Sequence, residues 1–135
     1  MKFVLDASVT LTWAFPDEWH VTALRAREIL ESPGGRAIVP GLWWYEVRNI
    51  LIVSERRGRI TPAGTAIFLK QISDIPIETA PAPDEGILLD LARQTKLSIY
   101  DAAYLALAIE ENLPIATLDQ ALRSAAITKG VSLLA

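Results

Sequence analysis

The chain has 135 residues, 51% apolar and 21% charged, with a formal net charge of −3. That composition excludes a disordered chain and fits one domain, because a globule of this size buries about two-thirds of its unfolded surface. There is no cysteine and one histidine, His20. Disulfide scaffolds, thiolate zinc sites, thiol nucleophiles and a two-histidine ribonuclease mechanism are therefore excluded. Any chemistry rests on carboxylates, hydroxyls or a metal ion.

The longest uncharged runs are ten residues, well short of the ~20 needed to cross a bilayer. Asp6 interrupts the first apolar stretch before a signal-peptide core can develop. The expectation is a soluble cytoplasmic protein, one domain over residues 1–135, with no membrane partner.

In chain order, Phe3-Val4-Leu5 reads as a buried strand leading through Asp6-Ala7-Ser8 into a helix that stops near Pro16. A second helix is expected from Glu18 to Glu31, followed by a Ser32-Pro33-Gly34-Gly35 turn and an Ala37–Val39 strand. Pro40 opens a long helix to about Arg57. Thr61-Pro62 pairs a capping residue with proline at the first helical position and starts another. Ile75 to Thr79 reads as an edge strand because of Pro76. Helices are expected from Pro83-Asp84-Glu85 to Lys96, from Ser98 to Asn112 and from Gln120 to Lys129. Strands are expected at Pro114–Thr117 and Val131–Leu134. Short apolar strands alternating with helices predict an α/β fold, a short central parallel sheet covered by helices on both faces. Ligands of such sheets bind beyond the carboxyl ends of the strands. That rule singles out Asp6 and Asp119.

Taken singly, Asp6 and Asp119 read as helix caps, and Asp101, three residues after Ser98, fits a capping box. Glu46 resists such a reading. It is the one charged residue between Ala37 and Val47, and its helical neighbours include Leu42, Trp43, Asn49 and Ile50. An unpaired carboxylate on an apolar face is costly, and no lysine or arginine shares that face. Asp101 likewise shares its face with Tyr104, Leu105 and Ala108. Four carboxylates meeting at one place repel one another unless a cation joins them. An all-oxygen donor set favours Mg²⁺ or Mn²⁺.

Four segments carry a resemblance: Phe3–Val9, Glu46–Asn49, Tyr100–Ala108 and Ala116–Asp119. In order and spacing they resemble PIN domains, and most closely the VapC-type toxins of toxin–antitoxin pairs. The resemblance spans the chain. It implies a PIN-like fold and a Mg²⁺- or Mn²⁺-dependent endoribonuclease held inactive by a VapB-type antitoxin. It also implies a homodimer, with further assembly on the antitoxin. It carries the acidic site onto Asp6, Glu46, Asp101 and Asp119, and the small hydroxyl positions onto Ser8 and Thr117.

Within that expectation Asp6 and Asp101 are first choices as metal ligands. Glu46 and Asp119 bind a second ion or orient the attacking water. Ser8, Thr117 and Asn49 are candidates for holding the carboxylates by hydrogen bonds. Setting the four acids aside leaves 12 acids against 13 bases, a balance of +1. Arg48, Arg56, Arg57 and Arg59 then become candidate phosphate contacts, although cations at a helix C-terminus are also ordinary dipole partners. Of the adjacent Trp43 and Trp44, one is expected outside the core. His20 is expected on a helix surface, and Gly34-Gly35 lacks the lysine of a phosphate loop. A non-catalytic PIN-like interaction module is the competing reading. A receiver-like phosphorylation domain fits less well, because Thr117-Leu118-Asp119 offers no lysine. The acids alone do not distinguish RNA from DNA.

Overall fold

In the computed structural model, which describes residues 1–134, four short strands form one parallel sheet in the order β3-β2-β1-β4. They are Lys2–Leu5 (β1), Arg36–Val39 (β2), Ile77–Thr79 (β3) and Ile115–Ala116 (β4). Register is set by pairs such as Val4 with Ile38 on one side and Val4 with Ile115 on the other. Phe3, Val4 and Leu5 are consecutive and all fully buried. Consecutive burial requires cover on both faces of the sheet, as expected for parallel strands. The cover comes from seven helices among the described residues: Ala7–Thr12 (α1), Val21–Glu31 (α2), Leu42–Arg56 (α3), Pro62–Ser73 (α4), Glu85–Thr95 (α5), Ile99–Glu111 (α6) and Gln120–Thr128 (α7). Helix α6 packs on β1 and β4, and α2 on β2 and β4. No helix among them is long and apolar enough to cross a membrane.

The capping signals act largely as the sequence indicates. Thr61, Asp84 and Ser98 accept from the backbone N–H groups of Gly64, Ile87 and Asp101, opening α4, α5 and α6. Gly34 sits at φ +77°, in the left-handed region, and a Cβ on Gly35 would lie 1.7 Å from the Ile29 carbonyl oxygen. The glycine pair thus serves chain reversal after α2.

Three expectations need correction, the first being the end of α1, which falls at Thr12 and not near Pro16. Helix α2 starts at Val21, not Glu18, and His20 is its N-cap, with Nδ1 accepting from the Thr22 N–H at 3.2 Å. An imidazole acceptor stops the helix from extending back through Trp19. The Val131–Leu134 segment is not a full strand; it contributes a single parallel bridge, Leu133 with Ile115. The two-residue length of β4 leaves it little to pair with.

Candidate acidic site at the carboxyl ends of the strands

Asp6 follows β1 and occupies the N-cap position of α1, yet its side chain makes no capping bond. The carboxylate instead receives Ser8 Oγ at 2.6 Å and Thr117 Oγ1 at 2.7 Å, both on Oδ2. Thr117, directly after β4, is fully buried, and its Oγ1 also accepts from the Asp119 N–H at 3.1 Å. Ser8 Oγ accepts from the Leu118 N–H at 3.0 Å. The chain following β1 is thereby stitched to the chain following β4 through one carboxylate oxygen. On the other side, buried Trp43 Nε1 donates to Thr10 Oγ1, which donates to the Asp6 carbonyl. This ties α3 to the start of α1.

The other three acids arrive from different elements. Glu46 projects from α3 half-buried, and its partner is the Tyr104 hydroxyl of α6, which donates to Oε1 at 2.6 Å. Asp101 lies in the first turn of α6, half-buried. Asp119 is exposed and does cap α7, its Oδ1 accepting from the Leu122 N–H at 2.8 Å.

The four carboxylates feel one another's charge. Burial pushes the Asp6 carboxyl above its usual range, against the lowering effect of the Ser8 and Thr117 hydroxyls, and the charge of Asp119 raises it further. Glu46 is raised chiefly by burial, with the Tyr104 hydrogen bond opposing and the charges of Asp6 and Asp101 adding. Asp101 is raised by burial, then by Asp119 and Asp6. No lysine or arginine contributes to any of these three shifts. Such a concentration of uncompensated negative charge is chemically suited to a hard divalent cation.

Among the described residues, no three of the carboxylates close into a ready-made cage.

Of the other candidates, Ser8 and Thr117 touch Asp6, whereas Asn49 is exposed and no hydrogen bond joins it to a site acid among the described residues. Arg48 stacks over the Trp44 ring at 3.8 Å and donates to the Trp44 carbonyl. Arg56 and Arg57 are exposed at the end of α3. Arg59 faces Asp17 and Glu18 at 3.4 Å each. Trp43 is buried and Trp44 half-exposed, as their adjacency on α3 requires. Sequence reasoning placed Tyr104 only in the core and passed over Arg123, which donates to the Thr117 carbonyl at 2.9 Å. The spacing of Arg123, one turn beyond Asp119, is the one signal that pointed to it.

Comparison with known proteins agrees with this architecture. The PIN domain family matches residues 3–127. Among solved structures, PAE2754 from Pyrobaculum aerophilum superposes with a TM-score of 0.75 at 23% identity, covering 99% of this chain and 90% of that one. VapC20 from Mycobacterium tuberculosis, described as a sarcin-ricin loop cleaving toxin, superposes with a TM-score of 0.54 at 16% identity, covering 91% of this chain and 94% of that one. At those identities both likenesses concern the fold. A search of curated proteins found no match. With a parallel sheet in the order β3-β2-β1-β4, acids gathered beyond the ends of β1 and β4, and the family's pattern running through nearly the whole chain, the protein belongs to the PIN-domain family.

Proposed function

We propose that the chain is a divalent-metal-dependent endoribonuclease acting as the toxin of a VapBC-type pair. PIN domains are generally nucleases, and the observation that carries the reading is the convergence of Asp6, Glu46, Asp101 and Asp119 without a compensating cation. Asp6 and Asp101 would hold Mg²⁺ or Mn²⁺, with Glu46 and Asp119 completing the acidic shell directly or through water. A bound divalent ion would supply a lowered water pKa and neutralisation of the charge that develops on the phosphate. Ser8 and Thr117 fix the Asp6 carboxylate in one orientation, and Tyr104 does the same for Glu46, so the donor set is positioned before substrate arrives.

The VapC20 likeness supports a toxin role with a VapB-type antitoxin as partner, and the resemblance to VapC-type toxins implies a homodimer. A cytoplasmic site of action is part of the same reading. The test is cleavage of a panel of RNAs, a sarcin-ricin loop hairpin included, with Mg²⁺ or Mn²⁺ against EDTA, beside Asp6→Asn. Asparagine keeps the shape and removes the charge. Metal-dependent cutting that disappears in Asp6→Asn supports the reading; identical behaviour of the two proteins across the panel favours the non-catalytic interaction module instead.

A further inference from the structure

Trp19 is 72% exposed, although a side chain of this size is normally at least half covered in a folded domain. It stands in the loop between α1 and α2 and borders an open depression of about 300 Å³. Ser8 and Leu118, the pair joined by the Leu118 N–H to Ser8 Oγ bond, line the same depression. Ser8 is the residue that holds Asp6. The depression beside the indole is therefore lined by the same serine that holds Asp6.

The loop that presents the indole is braced. Arg59 lies over the Phe15 ring at 4.2 Å and reaches Asp17 and Glu18, so both residues preceding Trp19 are tethered to the chain beyond α3. His20 follows, its Nδ1 committed to the Thr22 N–H. In the neutral ring this leaves the proton on Nε2, a donor beside the indole. An exposed aromatic plane, a neighbouring polar ring and a depression that shares Ser8 with the acidic site form a combination suited to holding single-stranded nucleic acid.

We propose that Trp19 is a stacking platform for a base of the RNA strand next to the scissile phosphate, with His20 available to its edge. This inference rests on the nuclease reading. It places the contact on an unpaired base, because a base inside a duplex presents no free face to an indole. Trp19 is thus a positioning residue: it sets where the strand lies, while the carboxylates act on the phosphate.

The test measures fluorescence anisotropy of labelled oligouridine, and of an abasic oligomer of equal length, on the Asp6→Asn protein with Mg²⁺, to prevent turnover. Adding Trp19→Ala is expected to weaken oligouridine binding by about tenfold or more, and Trp19→Phe to restore most of it. Binding of the abasic oligomer is expected to be the same with and without Trp19. In the cleaving protein Trp19→Ala is expected to raise KM more than it lowers kcat. Unchanged oligouridine affinity overturns the platform, as does an equal loss for both oligomers, which would place the contact on the backbone. Unchanged affinity with a smaller sedimenting species would assign Trp19 to a protein interface and overturn it too. A wild-type protein that neither binds nor cleaves any RNA overturns the nuclease reading itself, a result distinct from an active enzyme indifferent to Trp19.

Discussion

The hydroxyl of Tyr104 donates to Glu46 Oε1 at 2.6 Å across a separation of 58 residues, joining α6 to α3 beside the acidic site. Tyr104 is fully buried, so the bond satisfies both a hydroxyl and a half-buried carboxylate. Removing the donor leaves Glu46 with its burial and the charges of Asp6 and Asp101 unopposed. Tyr104→Phe is expected to cost about 1–2 kcal/mol in chemical denaturation. It is also expected to move the acidic limb of the pH–rate profile to higher pH, as Glu46 becomes harder to ionise. An unmoved limb would show that Glu46 ionisation does not govern the rate.

Metal-free stability is expected to fall as pH rises. Asp6 and Asp101 are raised from 3.8 and Glu46 from 4.5, so the folded chain binds more protons than the unfolded chain over a window that opens at those ordinary values. Stability changes with pH as the protons bound by the unfolded chain minus those bound by the folded one. The difference is negative here. The contribution is therefore whole below about pH 4 and lost as pH climbs through the folded-state values. In EDTA, Tm should decline from mildly acidic to neutral pH, less steeply in Asp6→Asn, and Mg²⁺ should restore it at neutral pH in a concentration-dependent way. A wild-type curve parallel to that of Asp6→Asn would rule out Asp6 as the source.

Ser8 and Thr117 share the same oxygen of Asp6, which makes their contributions interdependent. Thr117→Val removes a donor from the buried carboxylate and an acceptor from the Asp119 N–H, an expected cost of about 1–3 kcal/mol. Ser8→Ala alone should cost less, because Ser8 is only partly buried. The double variant is expected to deviate from additivity, since one remaining hydroxyl can still satisfy Oδ2 and none cannot. Strict additivity in a double-mutant cycle would mean that the two hydroxyls do not act on a common atom.

Much of this was legible because the chain places carboxylates where local rules disfavour them. Glu46 stands alone among apolar helical neighbours, and Asp6 and Asp119 sit just past strands, the positions where parallel sheets bind ligands. Local rules could not separate Asp6, whose cap position is occupied without a capping bond, from Asp119, which caps in fact. That distinction depends on Thr117, 111 residues from Asp6 in sequence. Tyr104 was illegible for a related reason, because an aromatic on a core-facing stripe looks the same whether or not its hydroxyl has a distant partner. The start of α2 was misplaced since the apolar pattern continues through Trp19, while the actual boundary is set by the His20 ring. The salt bridges of Arg59 join positions 41 and 42 residues apart, which spacing cannot foretell.

Those bridges separate the arginines in their expected service to RNA. Arg56 and Arg57 are exposed and form no ion pair among the described residues, so their charges are free to displace counterions from a phosphate strand. Arg59 must first leave Asp17 and Glu18, and Arg48 is stacked on Trp44. For single strands each neutralised phosphate contributes about 0.7 to the slope of log K against log salt. The double change Arg56→Ala with Arg57→Ala is expected to flatten that slope by about 1.4, and Arg59→Ala by clearly less than about 0.7. Arg59→Ala should instead loosen the loop that carries Trp19, lowering affinity at every salt concentration. A larger slope change for Arg59 than for the pair would reverse this ranking and make Arg59 the main phosphate contact.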